Sequence, residues 1–146
     1  MEKGLYIGQY RSNDKLLKYN QIRYKIYCMI LDLLCFSNSL ENKTEISRTK
    51  IENFIFASIK RNKDNEAIVY TTIGSMLMSG LISEINDNLK LMPLGIKAYR
   101  EQTYHLVAAN LVEAKASRNL SKIAVAISII TMFLTIISLF LVIYHK

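Results

Sequence analysis

Few residues of this 146-residue chain are of catalytic type, and none sits at a spacing that chemistry needs. The histidines are His105 and His145. Cys28 and Cys35 lie seven residues apart on a stretch of helical periodicity. At ~1.5 Å per residue that is about 10.5 Å, too far for a disulfide, and with no histidine near them the two thiols make no zinc site. Packing in a reducing interior is their expected role. Glu41, Glu45 and Glu52 are spaced like solvated carboxylates on a helix surface. The chain has no Gly-x-x-x-x-Gly-Lys-Ser/Thr, His-Glu-x-x-His or Gly-x-Ser-x-Gly stretch. Neither an enzyme nor a metal or other cofactor is expected.

The residues with binding chemistry are cations. Lys60, Arg61 and Lys63 stand in a polar turn, Lys60 to Asn65, ahead of a predicted helix from Glu66 to Ser79. The outward positions of that helix are Ala67, Tyr70, Thr71, Gly74, Ser75 and Met78. The turn could hold phosphates, with Tyr70, Thr71 and Ser75 reading bases only modestly. The helix has no Arg, Lys, Asn or Gln, the side chains that make strong base contacts. Weak, phosphate-dominated and salt-dependent DNA binding is therefore expected. The other reading makes the turn a solvated loop and the chain a membrane-anchored scaffold or small membrane effector whose domain docks a protein partner. All 12 acidic residues and 18 of the 19 basic ones precede Ile123, leaving that portion at +6. Such a charge favours an anionic partner, either nucleic acid or the inner leaflet of a membrane.

The elements that must position these residues follow from periodicity. Residues 1–19 read as an N-terminal arm, its polar first 13 residues loose or in a short strand. Ile22, Ile26, Cys28, Met29, Ile30, Leu33, Leu34 and Phe36 recur at helical spacing between Asn20 and Phe36, and Ser37-Asn38-Ser39 ends that helix. Thr44 or Ser47 caps a second helix with Ile46, Ile51, Phe54, Ile55 and Ile59 inward. Asp64 or Asn65 caps the third, whose inner face is Val69, Ile73, Met76 and Leu77 and whose stop is Gly80. Two short apolar runs then flank Asn86-Asp87-Asn88, residues that tolerate the positive φ of a tight hairpin. Pro93 opens a last helix.

The run MLMSGLISEINDNLKLMPLGIKAYR resembles the C-terminal half of winged helix-turn-helix domains. There, a third helix ends in Leu-x-x-x-Gly-Leu-Ile, a wing follows, and a Lys-Leu-x-x-x-Gly segment opens the last helix. The matching residues are Leu77, Gly80, Leu81, Ile82, Lys90, Leu91 and Gly95, with the spacing slightly altered. The likeness, over roughly residues 20–105, is to small archaeal and bacterial regulators whose long last helix pairs two subunits. It implies a third helix in the major groove and a wing on the adjacent backbone, where Lys90, and Lys97 or Arg100 after it, touch phosphates.

The end of the chain is of another kind. Ile123 to Tyr144 is 22 residues without a charge, 14 of them Ile, Leu, Val or Phe. As a helix it reaches about 33 Å, enough for a hydrocarbon core of roughly 30 Å. No signal-peptide pattern occurs at the N-terminus, so a tail anchor is expected. Lys115, Arg118 and Lys122 before the span outweigh Lys146 after it, which puts residues 1–122 in the cytoplasm beside the cell membrane. Asn110, Ala114, Ser117, Ser121, Ala124, Ser128, Thr131, Thr135 and Ser138 recur at steps of four and three. This seam of small residues predicts a parallel homodimer; the alternative is that its hydroxyls bond their own helix. The expected fold is mainly α with a small β-hairpin wing. A winged-helix domain (20–105) leads through a juxtamembrane helix (106–122) into a single transmembrane helix (123–144), with no helix breaker after Gly95.

Overall fold

The structure, a computed structural model, describes residues 3–40 and 45–144. It is mainly helical, with a small three-stranded antiparallel sheet and a long C-terminal helix. Two compact units divide the chain, a head that ends at Leu111 and a tail that begins at Val112. The elements are α1 (Lys3–Leu40), β1 (Glu45–Ser47), α2 (Arg48–Ser58), α3 (Lys63–Met78), β2 (Ile82–Ile85), β3 (Asn88–Leu91), α4 (Pro93–Arg100) and α5 (Thr103–Tyr144).

The head core is built where the 3.6-residue period places apolar side chains on one stripe of each helix. Ile26, Tyr27, Ile30, Leu31 and Leu34 of α1 meet Ile51 and Ile55 of α2, and Val69, Ile73 and Met76 of α3. Two expected core residues, Phe36 and Phe54, instead lie outward, 59% and 42% exposed. Tyr27 and Leu31, outside the expected stripe, are buried.

α1 starts well before Asn20 and runs past Ser39. The stretch expected to form a loose arm or strand is helical from Lys3, because no proline interrupts it and the helix can extend from the packed turns that follow.

The sheet has one strand more than the expected hairpin. Its order is β1-β3-β2, with Ile46 opposite Leu89 and Ile82 opposite Leu91, all four buried. Ile46 thus belongs to a strand, not to the second helix. Glu45-Ile46-Ser47 alternates exposed, buried, exposed, the two-residue period of a half-buried strand. The hairpin turn has Asn86 at φ 49° and Asp87 at φ 62°, the left-handed pair of a two-residue turn.

The helix ends have identifiable causes. Ser47 caps α2 by accepting from the Lys50 backbone N–H, whereas Thr44 lies outside the described residues. α3 begins at Lys63, earlier than expected, because Asn62 is its cap: the Asn62 Oδ1 accepts from the Asn65 N–H at 2.8 Å. At its other end Gly80, at φ +69°, lets its own N–H reach the Leu77 carbonyl and the Leu81 N–H reach that of Met76.

The helix expected to run unbroken from Gly95 to Tyr144 is interrupted at Glu101-Gln102. Gln102 takes φ 52°, which for a residue with a Cβ costs ~1–2 kcal/mol. The turn lets the start of α5 pack on α1. Tyr104 stacks on Tyr27 with ring centroids 4.5 Å apart, and the Gln21 side-chain amide donates to the Leu111 carbonyl at 2.8 Å.

Candidate nucleic-acid interface

The surface to judge is the outward side of α3 with the turn before it and the strands after it. Lys60 and Lys63 are exposed on that turn and at the first position of the helix. Arg61 is exposed but engaged: its Nε donates to Glu66 Oε1 at 2.7 Å, and its guanidinium sits 4.9 Å from the Phe56 ring centroid. That hydrogen bond raises the Arg61 pKa above its ordinary value.

Along the helix, Ala67, Tyr70, Thr71 and Met78 are exposed, while Gly74 and Ser75 are half-buried. The Thr71 hydroxyl donates to the Ala67 carbonyl at 2.8 Å, within its own helix. Ser75 Oγ accepts from Arg23 of α1 at 3.2 Å. Lys90 is on the hairpin, in β3. It lies in the central strand, opposite Glu45 on one side and Ser83 on the other, and is half-buried. The seven expected contact residues therefore split. Lys60, Lys63 and Tyr70 are exposed, Arg61, Thr71 and Ser75 have internal hydrogen-bond partners, and Lys90 belongs to the sheet.

Arg48 organises this region, and the sequence reading passed over it. Its Nε donates to Glu52 Oε1 at 3.0 Å, its Nη1 to Glu84 Oε1 at 3.1 Å, and its guanidinium lies 5.7 Å from the Tyr70 ring centroid. Its backbone N–H donates to the Asp87 carbonyl at 2.9 Å, so one residue ties α2 to the hairpin turn and to α3. The hydrogen bond to Glu52, then that to Glu84, raises its pKa further above the ordinary value. Glu84 lies on the core side of β2, half-buried, where an unpaired carboxylate would be costly. The i, i+4 spacing of Arg48 and Glu52 was the available signal; the link to Glu84 depends on the fold.

The cysteines are inert. Burial, then the nearby Asp32 carboxylate, pushes the Cys28 thiol up to about 11. Cys35 is raised for the same reasons, so both remain protonated near neutrality. Among the described residues no group of three or more His, Cys, Asp or Glu could hold a metal ion.

In the tail, α5 is the one helix among the described residues long and apolar enough to cross a membrane. The seam residues Ala124, Ser128, Thr131, Thr135 and Ser138 are exposed, as are the residues on every other side. Ser128 donates to the Ala124 carbonyl at 2.9 Å, Thr131 to that of Ile127 at 3.0 Å, and Thr135 to that of Thr131 at 2.9 Å. Those donors are used within the helix; the hydroxyl oxygens keep acceptor capacity.

No family model, curated protein or solved structure matches the chain.

Proposed function

We propose that the chain is a membrane-anchored winged-helix protein whose cytoplasmic head holds duplex DNA mainly through phosphates, as a transcriptional regulator or a DNA tether. The fold part of this reading is supported by the order helix, strand, helix, helix, hairpin and by the strand order β1-β3-β2. The observation that carries the DNA part is the open side of α3, which begins at the exposed Lys60 and Lys63 and is followed directly by the hairpin. With Arg48 and Arg61 held by carboxylates and Arg23 by Ser75, few contacts to bases are available. Binding then rests on counterion release and falls steeply with salt. The tail anchors the head from the cytoplasmic side and pairs two copies along the Ala124–Ser138 seam. With the Ser128, Thr131 and Thr135 donors used within the helix, small-residue packing supplies that pairing.

A second reading is favoured by a specific observation. Beyond Glu66 the open side of α3 carries no charge, and Met78 at its end is 92% exposed. Such a surface suits a protein partner as well as a duplex.

Fluorescence anisotropy decides between them, with the full chain in neutral-lipid nanodiscs and a random DNA duplex. The DNA reading predicts binding at low salt that weakens steeply at moderate salt. Replacing Lys60 and Lys63 together by Ala should weaken it and flatten the salt slope by roughly 2. Absence of binding at low salt leaves the protein-docking reading. For the seam, Ser128→Leu with Thr135→Leu should reduce self-association in the bilayer; unchanged association removes the pairing.

A further inference from the structure

On the side of the head formed by α1, α2 and α4, an open cavity of about 540 Å³ is lined by Asp32, Leu33, Cys35, Phe36, Phe54 and Tyr99. Three of the six are aromatic. Phe36 and Phe54 are the residues that helical periodicity would bury, and both turn a large apolar surface outward instead.

One carboxyl group lies in this lining. The Asp32 side chain is 51% exposed, and its Oδ1 accepts from His105 Nε2 at 3.0 Å. That bond occupies one of the roughly four lone-pair sites of a carboxylate. Tyr99 meets the His105 ring edge-on, with centroids 5.9 Å apart, so the carboxylate's partner, at the start of α5, also touches the lining. The neutral Cys35 thiol adds apolar wall. Arg100 acts on Cys35 from nearby but is not part of the lining.

Aromatic faces carry negative quadrupole charge and attract cations, and a carboxylate beside them sets the sign of the guest. The volume is that of a small-molecule site. We propose that this groove binds a lipophilic organic cation, an ammonium or phosphonium carrying aromatic or alkyl groups, with Asp32 facing the charge and Phe36, Phe54 and Tyr99 receiving the substituents. The assignment is independent of what α3 binds. Because Asp32 also holds His105, an occupant bears directly on the contact that ties the start of α5 to α1.

The test uses the full chain in neutral-lipid nanodiscs, with rhodamine 6G as the fluorescent cation and empty nanodiscs subtracted. Saturable binding is expected, displaced by tetraphenylphosphonium and not by the equally greasy anion tetraphenylborate. Asp32→Asn keeps an acceptor for His105 and removes only the charge; it should weaken binding about tenfold or more. His105→Gln, which leaves the carboxylate in place, should stay within about threefold. Equal displacement by cation and anion, an unchanged affinity in Asp32→Asn, or a signal no greater than empty nanodiscs overturns the proposal. So does loss of self-association in Phe36→Ser/Phe54→Ser with dye binding intact, which would give the groove to a second copy of the chain.

Discussion

Ile30 and Ile130 are the same residue, each in the middle of a long helix, yet one is 0% and the other 59% exposed. Around Ile30 the apolar positions form a stripe, with Lys25 and Asp32 outside it. Around Ile130 every side of the helix is uncharged and open. The head is amphipathic and closes on itself in water. The tail instead leaves its apolar surface open, on a helix long and apolar enough to cross a membrane.

The comparison breaks most visibly in the tail. Ile130→Arg together with Leu134→Arg costs roughly 5–7 kcal/mol of insertion at ~2.5–3.5 kcal/mol per central charge, comparable to the whole favourable term of the span. The double variant is expected to leave the membrane fraction, while head amides keep their hydrogen-exchange protection. Retention in the membrane would show that the tail is not read by lipid. Next in size is Ile73→Ala in the head, at 0% exposure, expected to lower head stability by about 2–5 kcal/mol. Ile137→Ala in the tail should leave head stability unchanged. Equal effects on head exchange would erase the distinction between the regions.

A third change sharpens what holds the head. A Cβ at Gly95 would run into the Leu81 backbone carbonyl, which accepts the Met92 N–H at 3.0 Å. Gly95→Ala should cost about 1–3 kcal/mol, seen as earlier denaturant unfolding of the head. The smallest effect is at Cys28. Its thiol is pushed up to about 11 by burial, so the unfolded chain ionises first as pH rises. The sign follows: the stability this group contributes is intact below about pH 8.5, and is lost progressively as pH climbs towards the folded value. Maleimide labelling of Cys28 should therefore be slow at neutral pH in the folded head and rapid once it is unfolded. Equal rates would show the thiol is not buried.

What the sequence made legible was mostly local. Gly80 and Asn86-Asp87 mark their own backbone angles, so the end of α3 and the hairpin turn are visible before any fold is known. The uncharged run after Lys122 is equally plain. Less visible was β1, because three residues give a two-residue period almost nothing to repeat. The break at Gln102 was hidden for another reason: glutamine does not favour positive φ, and the turn is held by Tyr104 and His105 meeting α1, far away in sequence. At the candidate interface, Lys60 and Lys63 were readable as exposed cations. The capture of Arg48 by Glu84 and of Ser75 by Arg23 was not, since each joins residues from different elements.

The most direct measurement is alkaline carbonate extraction of membranes carrying the unmodified full chain. A head dissolved in water on a membrane-crossing tail should stay in the pellet through carbonate and high salt, and be released only by detergent. Recovery of the chain in the carbonate supernatant would contradict the account.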